Sequence, residues 1–343
     1  MHYDAIVVGG GPGGLCCAAA LAEGGLKTLV VERNTQAGPK VCAGGITWSG
    51  LIKTVPESLI ERSFPRQKIY TRLQRAIISA PMPIIATVNR TELGGYMSKR
   101  ARQAGAHLQT ATRVQRIISG DNLQVFAQRM EREEKYTCRF LIGADGSSSL
   151  VRRYLGLGSR EMGVGINYQI AGEYADMEWH LNSASFANGY GWIFPHSDTI
   201  SLGAYVPAGT MSAGDLKINL HRWAAARGFD LDGRKCRAGL INYDFQGCHF
   251  GNIHLVGDAA GLASALTGEG IYPAMVSGDA VAAKILKPQL PSPRLERLVR
   301  RQRRFRRLVG LTAKNRVWAS SLAEIGVAGL RAKIVSFRAL EMS

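Results

Sequence analysis

The first 32 residues constrain the fold more than any other stretch. Residues 4–9 are largely apolar and β-branched, and they run directly into Gly9-x-Gly11-x-x-Gly14. Residues 15–22 are small and of good helix propensity, Gly24-Gly25 close them, and residues 28–32 form a second apolar run ending at Glu32. That order predicts a βαβ unit with a right-handed crossover. In such a unit Gly9 permits the tight turn, Gly11 lets the backbone approach a pyrophosphate, and Gly14 lets the helix pack closely on the strand. The helix N-terminus, starting at Pro12 and Gly13, offers free N–H groups to that anion. Glu32 is placed to accept from ribose hydroxyls, and its charge would repel a 2′-phosphate. The fingerprint predicts a bound dinucleotide but does not separate NAD from FAD.

A second Gly-rich stretch lies almost a whole chain away. Gly257-Asp258-Ala259-Ala260-Gly261 follows an apolar run at 253–256, and Thr267-Gly268-Glu269-Gly270-Ile271 comes soon after. An Asp at the end of a buried strand is placed to bind a ribityl hydroxyl. The following turn would leave N–H groups near a flavin pyrimidine, where negative charge develops on reduction. Taken with the N-terminal fingerprint, this predicts FAD laid across one domain, its adenine half held by the first stretch and its isoalloxazine half by the second.

The 343 residues are 46% hydrophobic and 20% charged, which is ordinary for a globular chain. No run approaches the ~18 apolar residues that mark a spanning helix, and the N-terminus opens as a strand rather than a signal peptide. A cytoplasmic protein is expected. Six cysteines show no two-residue spacing, so no metal site is expected. The formal charge is +17, and from residue 292 onward 13 Lys and Arg stand against 3 Glu, a net of +10. No named nucleic-acid module or aromatic-interleaved basic stretch accompanies that charge, so nucleic acid is not an expected partner. Within 294–308, Leu298, Phe305 and Leu308 recur at helical spacing among arginines. This predicts a cationic amphipathic helix in peripheral contact with anionic lipid on the inner face of the membrane, or else packed on the domain.

Between the two glycine stretches the pattern alternates. Residues 64–88 read as short strands broken by Pro81 and Pro83, and residues 90–105 as a helix with Leu93, Met97 and Ala101 on one stripe. A hairpin follows at 114–128 and a buried strand at 140–143. Residues 160–245 are strand-rich and aromatic. The expected architecture is α/β: a Rossmann-like FAD-binding domain (1–62, 89–158 and 246–290) interleaved with a mostly antiparallel β-sheet substrate domain (63–88 and 159–245). A basic helical tail (291–343) follows.

Several motifs carry a family resemblance covering residues 1 to about 290. The fingerprint, Arg90 opening a helix, the Asp145-Gly146 turn and the late Gly257-Asp258 turn resemble the flavoprotein superfamily of the aromatic hydroxylases. Lys40-Val41-Cys42-Ala43-Gly44-Gly45, Tyr190-Gly191-Trp192-Ile193-Phe194-Pro195 and Leu266-Thr267-Gly268-Glu269-Gly270-Ile271 resemble its geranylgeranyl reductase branch. Two departures stand out: His196 replaces the Lys usual after Phe-Pro, and Gly94-Gly95 occupies a region where many relatives carry Asp. Beyond the tail, little chain is left to close a large cavity. The resemblance implies FAD contacts at Pro12, Gly13, Glu32, Arg33, Arg90, Val114, Asp258, Gly270 and Ile271, beside Gly9, Gly11, Gly14 and Gly268. It also implies Cys42 and Ala43 near the ring, and a lipid cavity lined by Tyr190, Trp192 and Phe194.

The activity this implies is reduction of carbon–carbon double bonds in an isoprenoid chain, with hydride from reduced flavin. Cys42, Tyr190 and His196 are the candidate proton donors, and NAD(P)H or a ferredoxin the external electron source. The alternatives are an FAD-dependent aromatic monooxygenase, a flavoprotein dehydrogenase passing electrons to a quinone, and a flavin sensor without turnover.

Overall fold

The computed structural model describes residues 1–343 except 39, 41, 52–54, 208, 314 and 343. Val41 of the cysteine-containing motif therefore lies outside the described residues. The β-branched run at the N-terminus forms the strand His2–Val8, buried along most of its length. It is flanked in parallel by Thr28–Val31 and by the end of the 12-residue strand Arg132–Gly143. His107–Gln109 extends the parallel sheet on one side and Ile253–Leu255 on the other. All five strands point the same way, so their C-terminal ends, with Gly9, Glu32, Ala144 and Val256, form one edge. Ligands bind at that edge in open parallel sheets.

Helices Pro12–Glu23, Arg90–Gln103 and Ile271–Leu286 pack together beside this sheet. The predicted hairpin appears as Thr112–Ile118 and Leu123–Arg129, continuing antiparallel into Arg132–Gly143.

A seven-stranded sheet makes the second layer. Its order is Arg237–Asn242, Met162–Ala171, Thr199–Pro207, Tyr190–Pro195, Met177–His180, Arg66–Tyr70, Arg75–Ser79. Every pairing is antiparallel except that of Met177–His180 with Arg66–Tyr70. A third sheet of Gly45–Thr47, Ile85–Val88 and Ile60–Phe64 lies between. Inside the strand-rich region, Ala213–Ala225 is a helix that strand composition obscures. Ser212 caps it by accepting from Asp215 N–H, and Leu216, Leu220 and Trp223 turn one stripe onto the sheet.

The basic tail is two helices, Pro293–Ala313 and Arg316–Arg331, and a 3₁₀ turn Phe337–Leu340. Leu298 and Phe305 are buried against the first domain, and the fully buried Gln302 donates to the carbonyls of Tyr243 and Gly261. Arg306 pairs with Glu161 and Asp244. Of the two placements expected for the stripe at 294–308, lipid contact or packing on the domain, Leu298 and Phe305 take the second, because they complete a domain surface that water would otherwise cover.

Candidate active site

Two helix N-termini open into one cavity of about 650 Å³. The helix Pro12–Glu23 begins after Gly11, and Ile271–Leu286 begins after Gly270; neither has a side-chain cap. Their first-turn N–H groups are therefore available to an anion. The two glycine stretches, far apart in sequence, are walls of the same space.

At the fingerprint end, Gly9 adopts φ +107°, and a Cβ there would sit 2.4 Å from the Ala144 carbonyl oxygen. Glu32 is held by Gly10 N–H at 2.6 Å and by the backbone and side-chain N–H of Asn34, both at 2.8 Å. Arg33 and Val114 line the same end. Arg90 also lines the cavity, and its buried Nε and Nη1 have no partner among the described residues. A Cβ on Gly11 would meet nothing within 4 Å, so the cradle there is open. An orphaned guanidinium, an uncapped helix terminus and an open glycine cradle together fit the polar and pyrophosphate groups of FAD.

Midway along the cavity, Asp258 accepts from Lys40 Nζ at 2.7 Å and from Ser147 Oγ at 3.1 Å. Ser147 belongs to the Asp145-Gly146 turn, whose half-buried Asp145 accepts from Leu150 N–H at 2.6 Å at the start of the next short helix. Gly94 has a local reason: a Cβ there would lie 2.2 Å from Gly38 Cα, so the loop before Lys40 packs directly on the Arg90 helix.

The far end of the cavity joins three elements. Asn167 donates to the Cys42 carbonyl at 2.7 Å, Ser201 donates to Asn167 at 3.3 Å, and Trp192 Nε1 donates to Ser201 at 3.1 Å. This chain fastens the cysteine loop to the aromatic sheet. Cys42 and Ala43 line the cavity, and Gly44 N–H points to the Cys42 sulfur at 3.4 Å. His196 is buried behind that loop and does not line the cavity. Its Nε2 donates to the Ala43 carbonyl at 3.0 Å and its Nδ1 faces Glu61 at 2.6 Å. Tyr190 donates to the Thr267 carbonyl, and burial pushes its phenol pKa up, so it keeps its proton. Trp192, Phe194 and Trp179 continue the aromatic wall.

Glu269 is the ionisable group that sequence reading left unassigned. It lies deep in the molecule, and its remaining exposure is along the cavity. Thr47 Oγ1 donates to it at 3.3 Å and Met342 N–H at 3.2 Å. Burial is the main cause that raises its pKa to about 7, against the opposing pull of those two donors. Its position in a Thr-Gly-Glu-Gly turn reads as backbone geometry, which hides the acid.

The tail supplies the missing wall. Phe337 stacks on Trp179, with ring centroids 5.6 Å apart and an interplanar angle of 30°, and Leu340 and Glu341 also line the cavity. Ser49 donates to Glu341 at 2.8 Å. The chain therefore closes its own cavity with residues no motif marks.

Residues 2–179 match the family described as FAD binding domain. The chain is 28% identical over 333 residues to digeranylgeranylglycerophospholipid reductase 2 of Methanothermobacter thermautotrophicus, covering 90% of this chain and 85% of that one. It is 29% identical over 294 residues to geranylgeranyl diphosphate reductase of Rhodobacter capsulatus, covering 81% and 73%. Among solved structures, a geranylgeranyl bacteriochlorophyll reductase-like protein from Thermoplasma acidophilum superimposes with a TM-score of 0.78 at 22% identity, covering 99% of this chain and 94% of that one.

Proposed function

The chain belongs to the FAD binding domain family and is an FAD-dependent oxidoreductase; on that premise we propose that it reduces carbon–carbon double bonds of an isoprenoid lipid. The observation that carries this reading is one cavity whose walls pass from dinucleotide-binding loops to aromatic side chains. Relatives named as geranylgeranyl reductases at 28–29% identity support the substrate class.

The Gly11–Gly14 backbone, Glu32, Arg90, Asp258 and the Gly268–Ile271 turn would hold FAD, which when reduced would supply hydride. The chain's own residues must do the rest. An isolated alkene has no neighbouring group to take up charge, so reduction needs a proton that gives tertiary cation character. Glu269 is the donor: burial raises its pKa to about 7, so about half of the molecules keep its proton at that pH, and the Thr47 and Met342 donors fix its orientation. Trp179, Tyr190, Trp192 and Phe194 line the cavity, and aromatic rings favour positive charge and exclude water that would trap it. Tyr190 positions the 264–269 turn through Thr267, and His196 positions the cysteine loop through Ala43. Cys42 stands at the far end of the cavity as a second group able to move a proton. The electron donor is external, a nicotinamide or a ferredoxin.

The test is anaerobic. Dithionite-reduced protein is mixed with a geranylgeranyl lipid, and flavin absorbance and lipid saturation are followed. Reoxidation with stoichiometric saturated product is expected. Flavin that stays reduced with every polyprenyl lipid, or oxygen-dependent hydroxylation of an aromatic compound, overturns the reading.

A further inference from the structure

The outward face of the helix Arg316–Arg331 carries no charged side chain along its middle. Val317, Trp318 and Ile325 are 71%, 63% and 66% exposed, with the exposed Ser321 before Ile325 and the exposed Ala328 after it. At either end of the helix stand Leu311 and Ile334, both largely exposed. The opposite face meets the fold through Ala319 and Val327, which are buried. Glu324, the one acid in 311–340, is turned onto the sheet, where Thr71 Oγ1 (2.7 Å), Leu73 N–H (3.0 Å) and Gln74 Nε2 (2.9 Å) donate to it. Leu73 extends the exposed apolar surface beside this anchor. Arg316, Arg331, Lys333 and Arg338 border it, all exposed.

We propose that this face docks the protein on an anionic bilayer, with Trp318 and Ile325 in the acyl–headgroup boundary and the bordering cations on lipid phosphates. Charge selects the occupant. A second copy related by a two-fold axis would bring Arg316, Arg331 and Lys333 close to the same set of cations on its partner, at a repulsive cost. An acidic lipid surface complements them, and an exposed tryptophan on an uncharged helical face suits the membrane interface. The glutamate anchor explains how a helix with so little buried face stays seated: its single acid is spent on the sheet, leaving the outer surface without negative charge. The Phe337–Leu340 turn that lines the cavity follows immediately, so docking would set the cavity's tail wall near the bilayer. No helix among the described residues is long and apolar enough to cross one.

The full chain with bound FAD is tested by flotation with phosphatidylcholine vesicles with and without 30 mol% (about one lipid in three) phosphatidylglycerol. Binding is expected only with the anionic lipid, falling as salt rises, with Trp318 emission quenched by brominated acyl chains. Trp318→Ser combined with Ile325→Ser is expected to weaken binding by about tenfold or more while flavin absorbance is unchanged. Arg316→Gln, Arg331→Gln and Lys333→Gln together should weaken it further and remove most of the salt dependence. Three results would each overturn the proposal: absence of anionic-vesicle binding by the unmodified chain, binding that the apolar pair leaves unchanged, or a dimer that the same pair dissociates. The brominated-lipid measurement uses the unmodified protein, so it decides even where a variant folds poorly.

Discussion

Glu269 accepts a hydrogen bond from the backbone N–H of Met342 at 3.2 Å, which ties the final described residue to the Thr267–Ile271 turn in the cavity wall. The two lie 73 positions apart in sequence. The bond makes the tail part of the active site, since it both orients the acid and holds the Phe337–Leu340 wall in place.

Glu269→Gln removes the titrating group while keeping its size. The folded pKa of about 7 lies above the usual value of 4.5, so the folded state binds the proton more tightly. That contribution to stability is fully present below about pH 4.5 and is lost as pH rises through about 7. Urea unfolding at pH 5 and pH 8 should show a fall in the parent protein that the variant lacks. Alkene reduction by the variant should drop by about 100-fold or more, the scale of a lost general acid, with flavin binding unchanged. Parent activity should decline above pH 7. A variant with full activity and an unchanged pH profile would remove Glu269 from the mechanism.

Two glycines of the fingerprint should fail in different ways. A Cβ at residue 14 would lie 2.1 Å from the Gly9 carbonyl oxygen, so Gly14→Ala strains the strand–helix turn itself. It should destabilise the apoprotein by about 1–3 kcal/mol. A Cβ at residue 11 projects into open cavity. Gly11→Ala should leave apoprotein melting unchanged yet weaken FAD binding by about 10- to 100-fold, where each factor of ten is about 1.4 kcal/mol. Melting curves and flavin fluorescence titrations separate the two outcomes.

Arg152 is a structural cation. Its side chain is 1% exposed and donates to the carbonyls of Asp244, Gly158 and Ala259, with Asp244 Oδ2 at 3.4 Å. Arg152→Ala leaves three carbonyls without that donor and weakens the pairing of a buried carboxylate. A loss of about 3–5 kcal/mol in chemical denaturation is expected. A loss under about 1 kcal/mol would mean that Arg306, 3.7 Å from Asp244, compensates.

Phe337→Ala removes the ring that stacks on Trp179 and opens the tail wall of the cavity. The Michaelis constant for a long prenyl lipid should rise about tenfold with kcat changed less, the pattern of lost uniform binding. Phe337→Leu should restore most of it. Steady-state kinetics with lipids of two chain lengths tests both.

The FAD-binding half was readable because its signals are local. Gly9, Gly11, Gly14 and Glu32 sit within one βαβ unit, and Asp258 follows the end of a strand, so short-range backbone geometry dictates both the residue types and their spacing. Period and propensity likewise place the helix at Arg90 and the hairpin after Thr112. The helix Ala213–Ala225 was harder to see, although Ser212 three residues before Asp215 is a start signal, because the flanking strands dominate the composition of that region.

What the amino-acid order determined by itself was the cofactor, the α/β architecture and the aromatic strand that lines the cavity. Only the folded chain decided which groups share that cavity and which apolar stripe meets solvent. His196 stands next to Phe194-Pro195 in sequence but faces the back of the cysteine loop, while Glu269, inside a glycine turn, faces the cavity. For the tail helix at Pro293 the sequence left lipid contact and packing on the domain both open; in the fold Leu298 and Phe305 are buried and Trp318 is left outside. The physical reason is common to all of these: burial and proximity depend on contacts between residues tens to hundreds of positions apart, and no local pattern encodes which face of a helix or loop those partners will cover.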